Sequence, residues 1–287
     1  MEAVALQDES LSGQLVLSGE QIAFFRTNGY LVLRGITDLK DLASLRDIYE
    51  RMFLNKTGMA EGNYFDLNSA GNEVKVLPQM TQMAHYEPRL RDTTLWRNVG
   101  AVSRQLLGPT AEFIFDHGIR KPPQGPATRW HQDHAFYGPG TRYQSVTFWV
   151  PLHDATIENG CMWFVPGSNR GPLLTHQSLD NNPAIHALEI IDSDISKKAV
   201  ACPIKAGDCT IHHPLTIHGT GPNLTDEPRL AYGLAFGTRL RRSVVRREFP
   251  WNAAKDTERK RRHYASLSPL GKLKHFTSVA LVRAGLH

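Results

Sequence analysis

The sequence is poor in cysteine: it has three, Cys161, Cys202 and Cys209, irregularly spaced and without a C-x-x-C pair. This pattern argues against a disulfide framework and against a thiolate zinc site. No run of eighteen apolar residues occurs, so no membrane-spanning helix is predicted. The first residues lack a basic segment followed by an apolar one, so we expect no secretory signal and a cytoplasmic location.

The composition is that of a globular protein with a substantial core. Of the 287 residues, 41% are hydrophobic and 21% are charged, and no low-complexity linker divides them. We therefore predict one domain over residues 1–287: a mostly helical part at 18–107, a strand-rich core at 108–240 and a basic C-terminal extension at 241–287. The net charge of +5 is compatible with an anionic substrate or cofactor.

The N-terminal part carries clear helix signals. Ser18 and Gln21 have the spacing of a capping box, and Gly29 is placed to end the helix that they begin. The patterns that follow predict a strand over 30–34 and helices over 39–53 and 88–107. The segment 55–73 is rich in Gly and Asn, and we expect it to be a mobile loop outside the core.

After Gly108 the sequence changes to short strands separated by turns. Five segments are rich in aromatic and β-branched residues: "AEFIFDHGI", "YQSVTFWVPL", "GCMWFVPG", "GDCTIHH" and "RLAYGLAFGT". This series is typical of a sandwich or jelly roll rather than of alternating βαβ units. The weakly patterned stretch 171–198 is predicted to be an insertion between strands.

The stretch "RWHQDHAFY" raises the question of chemistry. On a strand, residues two apart face the same side, so His131 and Asp133 would share one face and Gln132 the other. The triplet alone fits a metal site, an acid–base pair or a polar turn, and "HYE" at 85–87 repeats its pattern. His218, on a later strand, would complete a 2-His-1-carboxylate triad for Fe(II). Arg229, eleven residues further, could bind the distal carboxylate of a 2-oxoacid with both arms of its fork.

At this point the sequence resembles the phytanoyl-CoA dioxygenase family of Fe(II)- and 2-oxoglutarate-dependent oxygenases. The resemblance rests on the order and spacing of "LSGEQIAFFRTNGYLVLRGI", "RKPPQGPATRWHQD", "TFWVPLHDATIENGCMWFVPGSN", "GDCTIHH" and "HGTGPNLTDEPR". It implies a mainly β fold: a double-stranded β-helix, which is a cupin-like jelly roll, with flanking N-terminal α-helices. It also implies Fe(II) with 2-oxoglutarate and O2 as cosubstrates.

Residue by residue, the resemblance implies Fe(II) ligands at His131, Asp133 and His218. It implies contacts with 2-oxoglutarate from a second set of residues: Arg229, Thr220, Trp149, His117 and Gln132. The family often has P-G-S-H where this chain has Asn169 in the last position. The metal carboxylate is present, which favours hydroxylation over chlorination. Three nearby histidines are expected to support the site or the core: His134, His212 and His213.

The sequence thus predicts an oxygenase that hydroxylates, or otherwise oxidises, an unactivated C–H bond of a small organic molecule and releases succinate and CO2. One alternative is a non-catalytic, metal-binding cupin-like protein that binds a ligand. Another is a nucleic-acid-directed oxygenase that uses the basic C-terminal region, although no RNA-binding motif accompanies it. We favour a small-molecule substrate over a nucleic acid.

The run 239–262 holds ten Lys or Arg against three acids. A nucleotide-bearing thioester, a membrane surface or RNA are its possible partners. We expect instead a solvated, strongly charged helix over 252–263.

Overall fold

The computed structural model describes residues 15–70, 76–138, 143–191, 194–239 and 248–283. Seven α-helices lie in these ranges: α1 Gly19–Asn28, α2 Leu39–Leu54, α3 Met83–Tyr86, α4 Thr94–Leu107, α5 Pro250–Ala253, α6 Glu258–Ser266 and α7 Pro269–Arg283. The strands in the first half of the chain are β1 Tyr30–Leu33, β2 Tyr64–Asp66, β3 Pro78–Thr81, β4 Glu112–Lys121, β5 Thr128–His131 and β6 Tyr143–Pro151. Those in the second half are β7 Met162–Phe164, β8 His176–Ser178, β9 Leu188–Ile190, β10 Val200–Cys202, β11 Cys209–His212, β12 His218–Thr220 and β13 Arg229–Arg239.

The N-terminal helix forms as predicted. The Ser18 hydroxyl accepts a hydrogen bond from the Gln21 N–H, and the Gln21 side chain accepts one from the Ser18 N–H. Gly29 ends the helix with a φ of 78°, a left-handed conformation that glycine adopts without steric cost. The chain then enters β1, which pairs with β11 and so joins the N-terminal part to the main sheet.

The core consists of two antiparallel sheets. The larger has the order β1-β11-β6-β13-β4-β3-β2, and the smaller has the order β10-β7-β12-β5. Eight of these strands form the two walls of a jelly roll: β4, β5, β6, β7, β10, β11, β12 and β13. Helices α2 and α4 cover the outer side of the larger sheet, where their apolar faces share one buried cluster with β6 and β13. The predicted double-stranded β-helix with flanking N-terminal helices is confirmed.

The segment 55–73 was predicted to be a mobile loop outside the core, and this is wrong for 64–67; residues 71–73 lie outside the described part of the chain. Strand β2 lies inside it and pairs with β3 at the edge of the larger sheet. Phe65 and Leu67 are each only 7% exposed, and both pack against Leu77. Turns at 55–62 precede this three-residue strand, which is too short to show a periodicity.

The C-terminal region also differs from the prediction of a solvated helix over 252–263. The chain forms two helices here, α5 and α6, with a break at 254–257 and with the Thr257 hydroxyl capping α6. Lys255 is only 6% exposed and Thr257 only 2%. The predicted boundary at 240/241 lies outside the described residues and stays a prediction.

The predicted insertion at 171–198 contains the hairpin of β8 and β9, which lies beside β5. In the ranges that the structure describes, no helix is long and apolar enough to cross a membrane.

Candidate metal and cosubstrate site

Three side chains from two neighbouring strands converge at one end of the jelly roll. His131 ends β5, His218 begins β12, and the two are register partners. Asp133 follows β5 by two residues and begins a 3-10 turn, so it does not lie on the strand as predicted. Gln132 between them is still extended, and the alternation therefore carries on to Asp133. One ligand atom from each of the three residues lies within 4.8 Å of the others, which fits one small cation.

Both imidazoles are oriented by backbone carbonyls. Nδ1 of His131 lies 2.8 Å from the Arg129 oxygen, and Nδ1 of His218 lies 2.8 Å from the Thr216 oxygen. Because Nδ1–H donates in each case, the lone pair of Nε2 is free for a metal. The two Nε2 atoms lie 3.8 and 3.5 Å from one carboxylate oxygen of Asp133. Burial lowers the pKa of His131 to about 3, so its ring is neutral.

The carboxylate of Asp133 is held by two further side chains. Its Oδ2 accepts hydrogen bonds from the Thr147 hydroxyl at 2.9 Å and from Nε2 of His212 at 3.1 Å. Burial alone would raise the pKa of Asp133, but His218 and His212 hold it well below its usual value. The carboxylate is therefore ionised, and Oδ1 remains directed at the two histidines. His212 thus supports the site, as the sequence predicted.

The inner face of the larger sheet runs from this carboxylate to a buried arginine. On β13, Arg229 and Gly233 face the same side because they are four residues apart. Gly233 lies opposite Trp149 on β6 and opposite His117 on β4. A Cβ at Gly233 would lie 2.4 Å from the His117 ring, so only glycine lets that ring occupy its place. His117 also stacks on Phe115, with ring centroids 5.2 Å apart.

The guanidinium of Arg229 is buried without a complete set of partners. The residue is 2% exposed, and neither Nε nor Nη1 has a hydrogen-bond partner. Its Cζ lies 5.0 Å from the centre of the Trp149 ring. Burial lowers the pKa of Arg229 to about 10, which still leaves it charged at neutral pH. Unsatisfied buried donors are costly, so a fork of this kind fits a carboxylate that arrives with a ligand.

A second buried basic residue lies beside it, in a role that the sequence did not predict. The fully buried Lys121 is the register partner of Arg229, and its Nζ donates to the Thr220 hydroxyl at 2.7 Å and to the Gly221 carbonyl. Burial, with a smaller effect from Arg229, lowers the pKa of Lys121 to about 6. The Thr220 oxygen also accepts from the Thr128 N–H at 3.3 Å, so its own proton remains available to donate. The sequence carries no local signal for this role, because the pairing of Lys121 with Arg229 depends on the register of β4 and β13.

His117 fits the lining of the same space. Its Nδ1 is buried and lacks a hydrogen-bond partner. Burial lowers its pKa to about 4, so the ring is neutral.

Gln132 is placed differently from the other predicted cosubstrate residues. Its amide nitrogen donates to the carbonyls of Pro172 at 3.2 Å and Leu215 at 2.8 Å, and its amide oxygen accepts from the Leu174 N–H at 2.8 Å. Both amide hydrogens are thus used to join two loops behind the metal ligands. The structure gives Gln132 this positioning role, and its contact with a cosubstrate stays a prediction.

With this geometry in place, the chain can be compared with known proteins. A sequence profile described as Phytanoyl-CoA dioxygenase (PhyH) matches residues 25–231, which is more than half of the chain. The chain belongs to the phytanoyl-CoA dioxygenase family. The matched region includes all three triad residues and Arg229.

Curated relatives in this family share about a quarter of their residues with the chain. A probable alpha-ketoglutarate-dependent hypophosphite dioxygenase from Stutzerimonas stutzeri is 26% identical over 211 residues, which cover 71% of this chain and 73% of that protein. The peroxisomal phytanoyl-CoA dioxygenase of Rattus norvegicus is 28% identical over 237 residues, which cover 78% of this chain and 69% of that protein.

Among solved structures, EvdO2 from Micromonospora carbonacea var. aurantiaca is similar over nearly its whole length. Its 2-oxoglutarate complex has a TM-score of 0.70 and 30% identity, covering 85% of this chain and 99% of EvdO2. A second EvdO2 structure has a TM-score of 0.72 and 31% identity, covering 86% of this chain and 100% of EvdO2.

Proposed function

We propose that this member of the phytanoyl-CoA dioxygenase family is an Fe(II)- and 2-oxoglutarate-dependent dioxygenase that hydroxylates an unactivated C–H bond of a small organic molecule. One observation carries the proposal. The inner face of one sheet joins the side chains around a three-ligand metal site to a buried arginine fork whose Nε and Nη1 lack partners. A 2-oxoacid dianion has a keto-acid group that would bind the metal and a distal carboxylate that would bind Arg229.

The donor set fits Fe(II). Two imidazoles and one carboxylate are the facial triad of non-heme iron oxygenases, and such a triad leaves coordination positions open. When bound, iron with 2-oxoglutarate and O2 supplies the oxidation of the C–H bond and the release of succinate and CO2. His131, Asp133 and His218 would hold the metal through Nε2, a carboxylate oxygen and Nε2.

The protein's own residues orient the cosubstrate and keep its surroundings dry. Arg229 would donate to the distal carboxylate, and the Thr220 hydroxyl proton would add a third donor. Lys121 holds the Thr220 oxygen, and its amine, with a pKa of about 6, would take up a proton when an anion binds beside it. Trp149 and His117 wall the space between the two ends, and both are largely shielded from water.

The relatives support a small-molecule substrate without defining it. They include a phytanoyl-CoA dioxygenase and a probable hypophosphite dioxygenase. One fold in this family therefore accepts very different small molecules, and its loops decide which. In this chain the insertion contacts the stretch that carries the ligands, where the Gln132 N–H donates to Nε2 of His176, and Leu179 of the insertion shares a buried cluster with Phe65.

A non-catalytic cupin-like binder is the second candidate, and the arginine argues against it. A protein that only bound a metal would have no need for a buried, unpaired guanidinium at the far end of the metal face. A nucleic-acid-directed oxygenase is disfavoured because two of the basic residues in 239–262, Lys255 and Arg259, are turned into the protein.

The direct test is the decarboxylation of 2-oxoglutarate without any added substrate. Purified protein with Fe(II), 2-oxoglutarate and O2 is expected to form succinate slowly, and Asp133→Ala or His218→Ala should reduce that rate to the level of free Fe(II). His85→Ala is a matched control, since His85 also belongs to a His-x-acid triplet. Succinate formation that is absent in the parent protein, or equal in the parent and His218→Ala, would favour the binder.

We also propose a cytoplasmic location, in keeping with the state of the cysteines. Cys161, Cys202 and Cys209 are all free and buried. Burial raises the pKa of Cys161 to about 11 and that of Cys202 to about 12, so both are unreactive thiols. Three unpaired thiols fit a reducing compartment. Fractionation of cells that express the tagged full chain tests the assignment.

A further inference from the structure

Two buried cations near the metal ligands have no role in the chemistry described so far. Lys255, between α5 and α6, is 6% exposed, and Arg259 in the first turn of α6 is partly buried. Both contact His186 in the insertion: the Lys255 ammonium donates to its carbonyl at 2.5 Å, and Nη1 of Arg259 lies 2.9 Å from its Nε2. The two positive charges are therefore close neighbours.

The ring of Phe136 lies between Lys255 and one metal ligand. Phe136, in the turn that begins at Asp133, packs edge-on against His131 with ring centroids 6.0 Å apart. The Lys255 ammonium lies 5.1 Å from the centre of the same Phe136 ring. The His186 ring stacks on Phe136 at 5.8 Å. Phe136 thus links Lys255 to the metal ligand His131, while Arg259 and His186 line a neighbouring cavity with Phe65.

The segment that carries the pair is fixed to that turn. Nε1 of Trp251 and Nδ2 of Asn252 both donate to the Ala135 carbonyl, at 3.0 and 2.7 Å. Arg259 is anchored on its other side, where Nε donates to the Gly62 carbonyl and Cζ lies 4.3 Å from the Phe65 ring. These contacts hold the cations in place before any ligand arrives.

No carboxylate of the described residues forms an ion pair with either cation. The acids nearby are engaged elsewhere: Glu258 pairs with Arg262, and Glu248 pairs with Lys260 at 3.1 Å. Asp66 accepts hydrogen bonds from backbone N–H groups, among them those of residues 68, 76 and 77. Lys255 uses one of its three ammonium donors, and Nη2 of Arg259 has no hydrogen-bond partner in the described part of the chain.

Burial beside other positive charges lowers the pKa values of the side chains in this cluster. Burial, then Lys260 and Arg259, lowers the pKa of Lys255 to about 7. Burial lowers the pKa of Arg259 to about 10. His186, between the two, has a pKa well below its usual value because of burial and the surrounding cations. An anion placed here would relieve all three effects.

We propose that Lys255 and Arg259 bind an oxyanion of the primary substrate, a carboxylate or a phosphonate, and so place the rest of that molecule along Phe136 toward the metal ligands. The inference deepens the proposed function and rests on it for the identity of the site. It makes the substrate class an organic acid. It also gives the basic C-terminal region a role within the pocket.

The competing explanation is that the two cations only fasten the C-terminal helices to the insertion. A fastening role needs the hydrogen bonds to the His186 carbonyl and ring, but it does not need positive charge or free donors. Anion affinity separates the two explanations, because a purely structural role would leave it unchanged in any variant that still folds.

The test is calorimetric titration of the anaerobic protein, loaded with Fe(II) and one equivalent of 2-oxoglutarate, with butyrate and separately with methylphosphonate at pH 6.5. Loading occupies Arg229 first, and the limited 2-oxoglutarate avoids competition at the new site. The two anions distinguish a carboxylate site from a phosphonate site. The variants are Lys255→Met, Arg259→Met and the charge-conserving Lys255→Arg. Lys205→Met is the control, since Lys205 is 78% exposed and pairs with Asp154.

Saturable binding of at least one anion to the parent protein is expected. Lys255→Met and Arg259→Met should each weaken it roughly tenfold to a hundredfold, the effect of one charge-assisted hydrogen bond. Lys255→Arg and Lys205→Met should preserve it. Binding of neither anion to the parent, or unchanged affinity in either folded methionine variant, overturns the proposal. Because the positions are tested separately, a variant that fails to fold leaves the other to decide.

The visible charge-transfer band of the Fe(II)–2-oxoglutarate chelate, recorded on the same samples, separates this inference from the proposed function. A band without anion binding refutes only the oxyanion site. A missing band refutes the proposed function, whereas the anion titration still reports on Lys255 and Arg259.

Discussion

Replacing Arg229 by methionine should weaken 2-oxoglutarate binding strongly and leave the free protein at least as stable. Methionine keeps an unbranched apolar stem against Trp149 but removes the guanidinium. In the parent protein that guanidinium is 2% exposed, and Nε and Nη1 lack partners until a ligand supplies them. The guanidinium therefore lowers the stability of the free protein, and it donates two hydrogen bonds to the ligand in the complex.

The magnitudes follow from these two states. Removing one partner of a buried, hydrogen-bonded charge pair costs about 2–5 kcal/mol of binding free energy, which is roughly thirtyfold to several thousandfold in affinity. In the free protein, removing buried donors without partners gains about 1–3 kcal/mol, and losing the contact of Arg229 with the Trp149 ring costs about 0.5–1 kcal/mol. The net expectation is a free protein stabilised by about 1 kcal/mol.

Two assays check this expectation. Anaerobic calorimetry of 2-oxoglutarate binding to the Fe(II) protein measures the affinity, and urea unfolding of the ligand-free protein measures the stability. Arg120→Met is the matched control, because Arg120 lies on the strand beside Arg229 but pairs with Glu50 at the surface. An Arg229→Met variant that binds 2-oxoglutarate within threefold of the parent would refute the reasoning.

Three further predictions follow from the supporting residues. Replacing His212 by phenylalanine removes a hydrogen bond to the ligand carboxylate and should weaken Fe(II) binding about 10- to 100-fold in a metal titration. The pKa of Lys121 is about 6, and a bound dicarboxylate should raise it. Binding near pH 7.5 should therefore take up a proton and weaken as the pH rises from 6 to 8, which calorimetry in two buffers measures; Lys121→Met should abolish the uptake. Gly233→Ala places a Cβ 2.4 Å from the His117 ring and should cost about 1–3 kcal/mol in urea unfolding, whereas Gly100→Ala, with 3.5 Å to its nearest neighbour, should not destabilise.

Much of the fold follows from local signals in the sequence. The capping box at Ser18 and the glycine at the end of that helix depend on a few adjacent residues, so they can be recognised without knowledge of tertiary contacts. The long strands β6 and β13 carry enough aromatic and β-branched residues to be recognised from the sequence. Strand β2 was missed because three residues after a Gly-containing turn carry no period, and its burial depends on pairing with β3.

The metal triad was predictable because two histidines and one carboxylate had to come from particular positions in a known order. Lys121 and Gln132 were not, because their roles depend on which atoms lie opposite them in the folded chain. The basic C-terminal run shows the same limit. A count of charges predicts a solvated helix, and only packing shows that Lys255 and Arg259 are turned inward.

The most direct test of the account is to add Fe(II) and then 2-oxoglutarate to the metal-free protein without oxygen, and to record the visible spectrum. The account predicts the weak metal-to-ligand charge-transfer band of a bidentate chelate in the parent protein. It also predicts a band that needs much more 2-oxoglutarate in Arg229→Met and that is lost in His218→Ala. A parent protein that binds Fe(II) but shows no band at saturating 2-oxoglutarate would contradict the account.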